Sequence, residues 1–263
     1  MRCGVVYKFK PQNKINGSLF YCFEYFQFLK QFVDVKLYLV DITCVDFELV
    51  KKIFQEKYSV GIDNIIPIKI TDLYKLNLYH TVVLDIMTFY DCKEFLTNKI
   101  HCFSNDSHEM FRYKNDREVK YYGSYDYQNY DHFSYLKLNF EIFRPIENST
   151  KGVFISSRNI KYIENRREEW EKKFNKPIFI KKIQDGFGDI FEKIDTVYYV
   201  HLEKDTNNRI IPEAFFYGKK VIIDRRCEII DSTILRYEDI TKNGLKNYTL
   251  SGDDLIVQSC LQS

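Results

Sequence analysis

Short runs of β-branched and aromatic residues, four to six long, recur along the chain at Gly4–Tyr7, Val35–Val40, Ile65–Ile70, Thr81–Ile86, Lys99–Phe103, Gly152–Ser156, Pro177–Ile180, Val197–His201 and Lys220–Ile223. Runs of this length and composition predict strands. Between them, apolar residues spaced three and four apart predict helices over Ser18–Phe32, Phe47–Lys57, Thr88–Leu96, Tyr162–Phe174 and Ile210–Tyr217. Strand and helix in alternation predict the α/β class, with parallel sheets joined by crossover helices.

The alternation stops between Phe111 and Asn148, where Tyr, Asp and Asn crowd the chain (YYGSYDYQNYDHFSY), and resumes at Lys151 with a fresh strand. Pro145 and the Asn148-Ser-Thr run mark the break, so two Rossmann-like lobes are expected, 1–148 and 149–263. The length of 263 residues suits two compact lobes or one large domain. Two facing α/β lobes would hold a ligand outside the carboxyl ends of their strands.

Composition adds little to this picture. Hydrophobic residues make up 45% and aromatics 17%, with ten Gly and five Pro, which favours a chain that folds throughout. The abundance of Lys, Asn, Ile, Tyr and Phe matches the coding bias of an AT-rich genome, so aromatic content is no argument for base stacking. The 39 basic and 37 acidic residues leave +2, which excludes a strong global field for nucleic acid. Charge is uneven, however. Residues 1–150 carry 19 basic and 19 acidic side chains, whereas Lys151–Lys182 carries ten basic and four acidic, a net of +6. That excess suits a phosphate-bearing ligand and equally a solvated helix face. Seven Cys without a C-x-x-C pair or His in ligand spacing indicate neither a disulfide framework nor a zinc site. With a charged start (MRCGVVYKFK) and no apolar run near the roughly 18 residues that span a bilayer, a cytoplasmic protein is expected.

Candidate chemistry concentrates after the strand Val197–His201. The turn Thr206-Asn207-Asn208 precedes a helix opening near Arg209, with Asn208 placed to cap it. A helix start at a sheet edge favours a phosphate, and the Arg209 guanidinium matches two phosphate oxygens. Glu213 lies four residues on and shares the helical face, where its carboxylate suits the vicinal hydroxyls of a ribose. The same spacing also fits a surface ion pair on an ordinary amphipathic helix.

The run Asp205-x7-Glu213-Ala214-x3-Gly218-Lys219-x-Val221 resembles the E-x7-E region and the E-A-x3-G-x-x-V signature of many GT-B glycosyltransferases, with Asp205 standing for the first Glu. The resemblance implies that Glu213 binds the ribose of a nucleotide-sugar donor. In motif order the chain is most similar to the DNA β-glucosyltransferases of T-even phages, whose R-x-x-E helix grips diphosphate and ribose; the spacing here, R-x3-E, is one residue longer. The likeness implies a two-lobed GT-B fold and a hexosyltransferase using a sugar donor, UDP-glucose foremost. It further implies donor-binding roles for Ser157 and Arg158 after Gly152–Ser156, for Gly186 and Phe187 against the nucleobase, and for Gly17 and Ser18 after the first strand.

Transfer to a hydroxyl is assisted by a base that removes the acceptor proton. Asp106, in the turn after Lys99–Phe103, resembles the base of the phage enzymes; His108 and Asp85 are the alternatives, and each also fits a plain helix or turn cap. The sequence contains no D-x-D, so a metal-dependent donor site is not expected; P-loop, G-x-S-x-G and G-x-G-x-x-G motifs are absent too. Neither a metal nor a bound cofactor is required. The resemblance points to an acceptor such as a 5-hydroxymethylpyrimidine in duplex DNA, met in a host cytoplasm if the chain is phage-encoded. The alternatives are a glycan or lipid-linked sugar as acceptor, and a non-catalytic nucleotide-binding module.

Overall fold

The computed structural model describes residues 2–9, 17–42, 46–58, 62–96, 99–104, 119–123, 132–133, 138–139, 151–157, 159–180, 190–200, 209–224 and 231–262. The chain divides into two compact units, Met1–Phe143 with Thr249–Ser263, and Arg144–Tyr248.

The first unit is built on seven strands: β1 (Cys3–Lys8), β2 (Val35–Val40), β3 (Ile65–Ile68), β4 (His80–Val83), β5 (Lys99–Ser104), β6 (Val119–Gly123) and β7 (His132–Phe133). They lie in the order β3-β2-β1-β4-β5-β6-β7, and every pairing is parallel. Parallel sheets are covered on both faces, and β1 shows it: Cys3, Val5 and Tyr7 enter one core, while Val6 enters the other with Tyr38, Leu73 and Phe89.

Helix α1 (Gly17–Leu29, GSLFYCFEYFQFL) is apolar on nearly every side, the mark of a helix enclosed by protein. Ten of its thirteen residues are buried. Phe23 stacks on Phe54 of α2 (Phe47–Tyr58) with ring centres 4.2 Å apart. Burial of each such ring is worth about 1.5–3 kcal/mol. The buried Glu24 carboxylate accepts from Tyr58 Oη at 2.5 Å. On the other face lie α3 (Ile86–Cys92), which continues as a 3-10 turn over Lys93–Phe95, and a 3-10 helix, Ile70–Leu76.

The second unit carries β8 (Val153–Ser156), β9 (Ile178–Phe179), β10 (Thr196–Tyr199) and β11 (Lys220–Ile223) in the order β11-β10-β8-β9, again all parallel. The helix expected over Tyr162–Phe174 is two, α4 (Ile160–Glu164) and α5 (Arg167–Phe174). Arg166 leaves helical geometry between them at φ −122°, ψ 21° and lays its guanidinium over the rings of Tyr162 and Trp170. After β10 comes α6 (Ile210–Phe216), and after β11 comes α7 (Asp231–Asn243).

The last helix, α8 (Leu255–Leu261), belongs to the first unit, although the sequence pattern assigned 149–263 to one lobe. Its Ile256, Val257 and Cys260 complete the core around α1 and β1. Asp254 caps α8 by accepting from Ile256 N at 2.9 Å and also accepts from Tyr25 Oη on α1 at 2.6 Å. No described helix is long and apolar enough to cross a membrane.

Candidate functional site

In the second unit the helix α6 starts at Ile210, with Arg209 in the cap position and no side-chain cap bond; Asn208, expected to cap it, lies outside the described residues. Arg209 and Glu213 share the helical face that their spacing predicts. Arg209 donates from Nε at 2.9 Å and from Nη2 at 2.7 Å, and both bonds fall on Oε1 of Glu213. The side chains are only 10% and 3% exposed, so this is a buried ion pair and not the surface pair that the spacing also allowed. With Oε1 occupied twice, Oε2 is the oxygen left to meet another group.

The rest of the signature is explained by packing. Ala214 is fully buried where α6 meets the sheet. Gly218 ends the helix at φ +66°, in the left-handed region that side chains disfavour, and the turn closes through Lys219 N to Ala214 O at 2.8 Å. Val221 is a core residue of β11. The Lys219 ammonium between them is buried, which holds its pKa below the usual lysine value against the opposing pull of Asp195. Helix, glycine turn and strand thus account for Ala214, Gly218 and Val221, and leave Glu213 with its Arg209 as the part that packing does not require.

Of the other residues singled out from the sequence, Ser157 stands half-buried just past β8, where its Oγ accepts from Asn159 N at 3.1 Å. Asn159 in turn caps α4 through Tyr162 N at 3.0 Å. Ser157 therefore shapes the turn at the carboxyl end of β8. Gly17 and Ser18 are half-buried at the start of α1. Asp85 follows β4 and caps α3: its Oδ2 accepts from Thr88 N at 3.2 Å and Thr88 Oγ1 at 3.1 Å. Asp106, His108, Arg158, Gly186, Phe187 and Asp205 lie outside the described residues.

One arrangement in the second unit went unread in the sequence. A cavity of about 560 Å³ lies against α5 and the ends of β10 and β11, lined among others by Trp170, Lys173, Tyr198 and Asp224. Lys173 Nζ donates to Tyr198 Oη at 2.8 Å and sits 4.4 Å from the centre of that ring, 5.2 Å from Trp170 and 5.3 Å from Phe174. Tyr198 Oη donates on to the buried carboxylate of Asp224. The placement of Asp224 directly after the Lys220–Ile223 run was the one available signal. Among the described residues no cluster of three or more His, Cys, Asp or Glu side chains is arranged to hold a metal ion.

No protein-family model matches the chain, and no curated protein does. Among solved structures, the crystal structure of a glycosyltransferase from Rickettsia africae ESF-5 aligns over 99% of this chain and 97% of its own, with a TM-score of 0.54 and 11% sequence identity. At that identity the likeness is one of fold, and it extends across both parallel sheets: the chain has a Rossmann-like α/β fold shared with a glycosyltransferase.

Proposed function

We propose that the chain is a glycosyltransferase of the two-lobed GT-B type that moves a hexose from a nucleotide-sugar donor, UDP-glucose, to a hydroxyl acceptor. The observation that carries this is the buried Arg209–Glu213 pair on α6, in which both guanidinium bonds converge on one carboxylate oxygen. Arg209 holds the carboxylate in a single orientation, and Oε2 accepts from the vicinal hydroxyls of the donor ribose. A charged acceptor fixed in this way suits a diol because it takes hydrogen bonds without paying to order itself on binding. Ser157 and Arg158, which follow β8 in the chain, are proposed to meet the diphosphate, and Gly17 and Ser18, at the start of α1, the sugar or phosphate of the donor. Gly186 and Phe187 are proposed to pack on the base, with Asp205 completing the donor site.

In the reaction the bond from the anomeric carbon to the diphosphate breaks as the acceptor oxygen bonds to that carbon. The acceptor proton passes to a base, proposed to be Asp106, with His108 as the alternative. Asp85 is the weaker choice, since its carboxylate already caps α3. The acceptor proposed from motif order is a 5-hydroxymethylpyrimidine in DNA.

Release of UDP from UDP-glucose tests the donor half: wild-type chain liberates UDP, and Glu213→Gln does so at least tenfold more slowly. Offering plain DNA, hydroxymethylated DNA and free glycans in parallel identifies the acceptor. Stimulation by glycans alone would replace the DNA acceptor, and absence of UDP release with every acceptor would remove the catalytic reading.

A further inference from the structure

Cys3 on β1 and Cys260 on α8 meet inside the first unit with their sulfurs 3.9 Å apart, both closed to solvent. His80 on β4 is buried beside them. Its Nδ1 meets His101 Nε2 at 3.0 Å, the two rings stack within 19° of parallel, and His101 Nδ1 meets Tyr122 Oη at 2.9 Å. That chain uses Nδ1 of His80, and the same imidazole acts on the Cys260 thiol. The cluster therefore joins two thiols to two imidazoles through four elements, β1, β4, β5 and α8, with a tyrosine on β6 at its far end.

The surroundings make the two sulfurs unequal. The hydrogen-bonded contact with Cys3 lowers the Cys260 pKa to about 6 against the opposing effect of burial, and His80 pulls in the same direction. Cys3 is raised by that same bond and by burial. Burial, reinforced by the Asp85 carboxylate, pushes Cys22 and Cys102 well above the usual thiol value, and burial against the pull of Lys8 takes Cys92 up to about 12. Among the described cysteines, Cys260 is the one disposed to be a thiolate, and the thiolate is the reactive form.

We propose that Cys260 and Cys3 form a thiol-modification site that reacts with low-molecular-weight disulfides and closes to a Cys3–Cys260 disulfide tying α8 to β1. The Cys260 thiolate attacks one sulfur of the small disulfide, forming a mixed disulfide and expelling one small thiolate, with the Cys260 proton leaving through His80. The Cys3 thiol then attacks the Cys260 sulfur, its proton passing to the departing sulfur, and the second small thiol is expelled. The protein gives up two electrons and two protons, and the oxidant becomes two thiols. A disulfide needs sulfurs about 2.05 Å apart, so they must approach by roughly 2 Å. α8 is seven residues long and is preceded by the exposed Gly252 and Asp253, and a movement of this short helix is what the reaction requires, both to admit the oxidant and to close the bond. Because the partners are 257 residues apart, the cross-link restrains nearly the whole unfolded chain.

The test uses the full chain incubated with oxidised glutathione, with reduced glutathione as control. Free thiols are then trapped with N-ethylmaleimide in acid denaturant and mapped by peptide mass spectrometry. The expected result is coordinate loss of label from Cys3 and Cys260, recovery of their two peptides as one cross-linked species, and retained label on Cys22, Cys92 and Cys102. The unfolding midpoint rises by several degrees and returns on reduction. Cys3→Ser removes the resolving thiol, so the reaction stops at a glutathione adduct on Cys260. Full labelling of Cys3 and Cys260 after oxidation, or a disulfide joining either to another cysteine, overturns the proposal.

Discussion

Substitution at Glu213 separates support of the fold from ligand binding. Its Oε1 receives two bonds from Arg209, at 2.9 and 2.7 Å, in a setting where the two side chains are 3% and 10% exposed. Glu213→Ala strands a buried guanidinium, which costs about 3–5 kcal/mol. Glu213→Gln keeps a neutral acceptor and forfeits only the charge-assisted part, roughly 1–2 kcal/mol. For a chain of this size each kcal/mol moves Tm by about 2–4 °C. Loss of the charged acceptor to the ribose hydroxyls adds roughly 1.5–3 kcal/mol to the binding free energy, a Kd for UDP weaker by about 10- to 150-fold.

Stability loss alone would not prove ligand binding, so the deciding variant is Arg209→Met combined with Glu213→Leu. Replacing both members of a buried pair by apolar side chains of similar volume is often neutral or stabilising. The paired variant should unfold close to wild type while losing the stabilisation that UDP confers, which for a ligand at 100 times its Kd is about 2.7 kcal/mol. Thermal unfolding of wild type, Glu213→Gln and the paired variant, with and without about 1 mM UDP, reads both quantities in one series. If the paired variant gains the same UDP-dependent shift as wild type, the ion pair is structural and the ribose role is wrong. If no nucleotide shifts wild type, the donor site itself falls.

Tyr25→Phe removes the donor that holds Asp254 at 2.6 Å and should cost roughly 1–3 kcal/mol in urea unfolding, with α8 loosening first in hydrogen exchange; uniform loss of protection across the first unit would contradict the anchoring role. Gly218→Ala meets no atom within 4 Å yet forces a side chain to φ +66°, so a loss of about 1 kcal/mol is expected from backbone conformation alone, and an unchanged Tm would count against it. Asp195 is pushed up by burial, but the Lys176 ion pair at 2.6 Å and the Thr196 hydroxyl outweigh this and hold its pKa below the usual carboxylate value. A depressed carboxylate stabilises the fold above its unfolded pKa, and that contribution is lost as pH falls through the folded value. The stability gap between wild type and Lys176→Met should therefore be full at neutral pH and close below about pH 3.9, while a gap independent of pH would refute the coupling.

What the sequence discloses tracks how local the deciding interactions are. The strands β2 and β11 have the ends expected from their apolar runs, and α1 is legible as an enclosed helix from apolarity on every side. By contrast, β6 and β7 sit in the Tyr- and Asp-rich stretch read as an interruption, because pairing, of β6 with β5 and of β7 with β6, and not periodicity makes them strands. α8 is too short to show a period, and its place depends on meeting Tyr25 and Cys3, which lie more than 200 residues away.

The candidate site divides in the same manner. Spacing was enough to put Arg209 and Glu213 on one face, but burial is a property of the assembled unit, and burial is what distinguishes a solvated pair from one with an energetic consequence. Apolar side chains at both 209 and 213 would avoid desolvating two charges. The proposed ribose role gives the second oxygen of that carboxylate a partner outside the fold, and the paired substitution separates the two readings because it removes both charges at once.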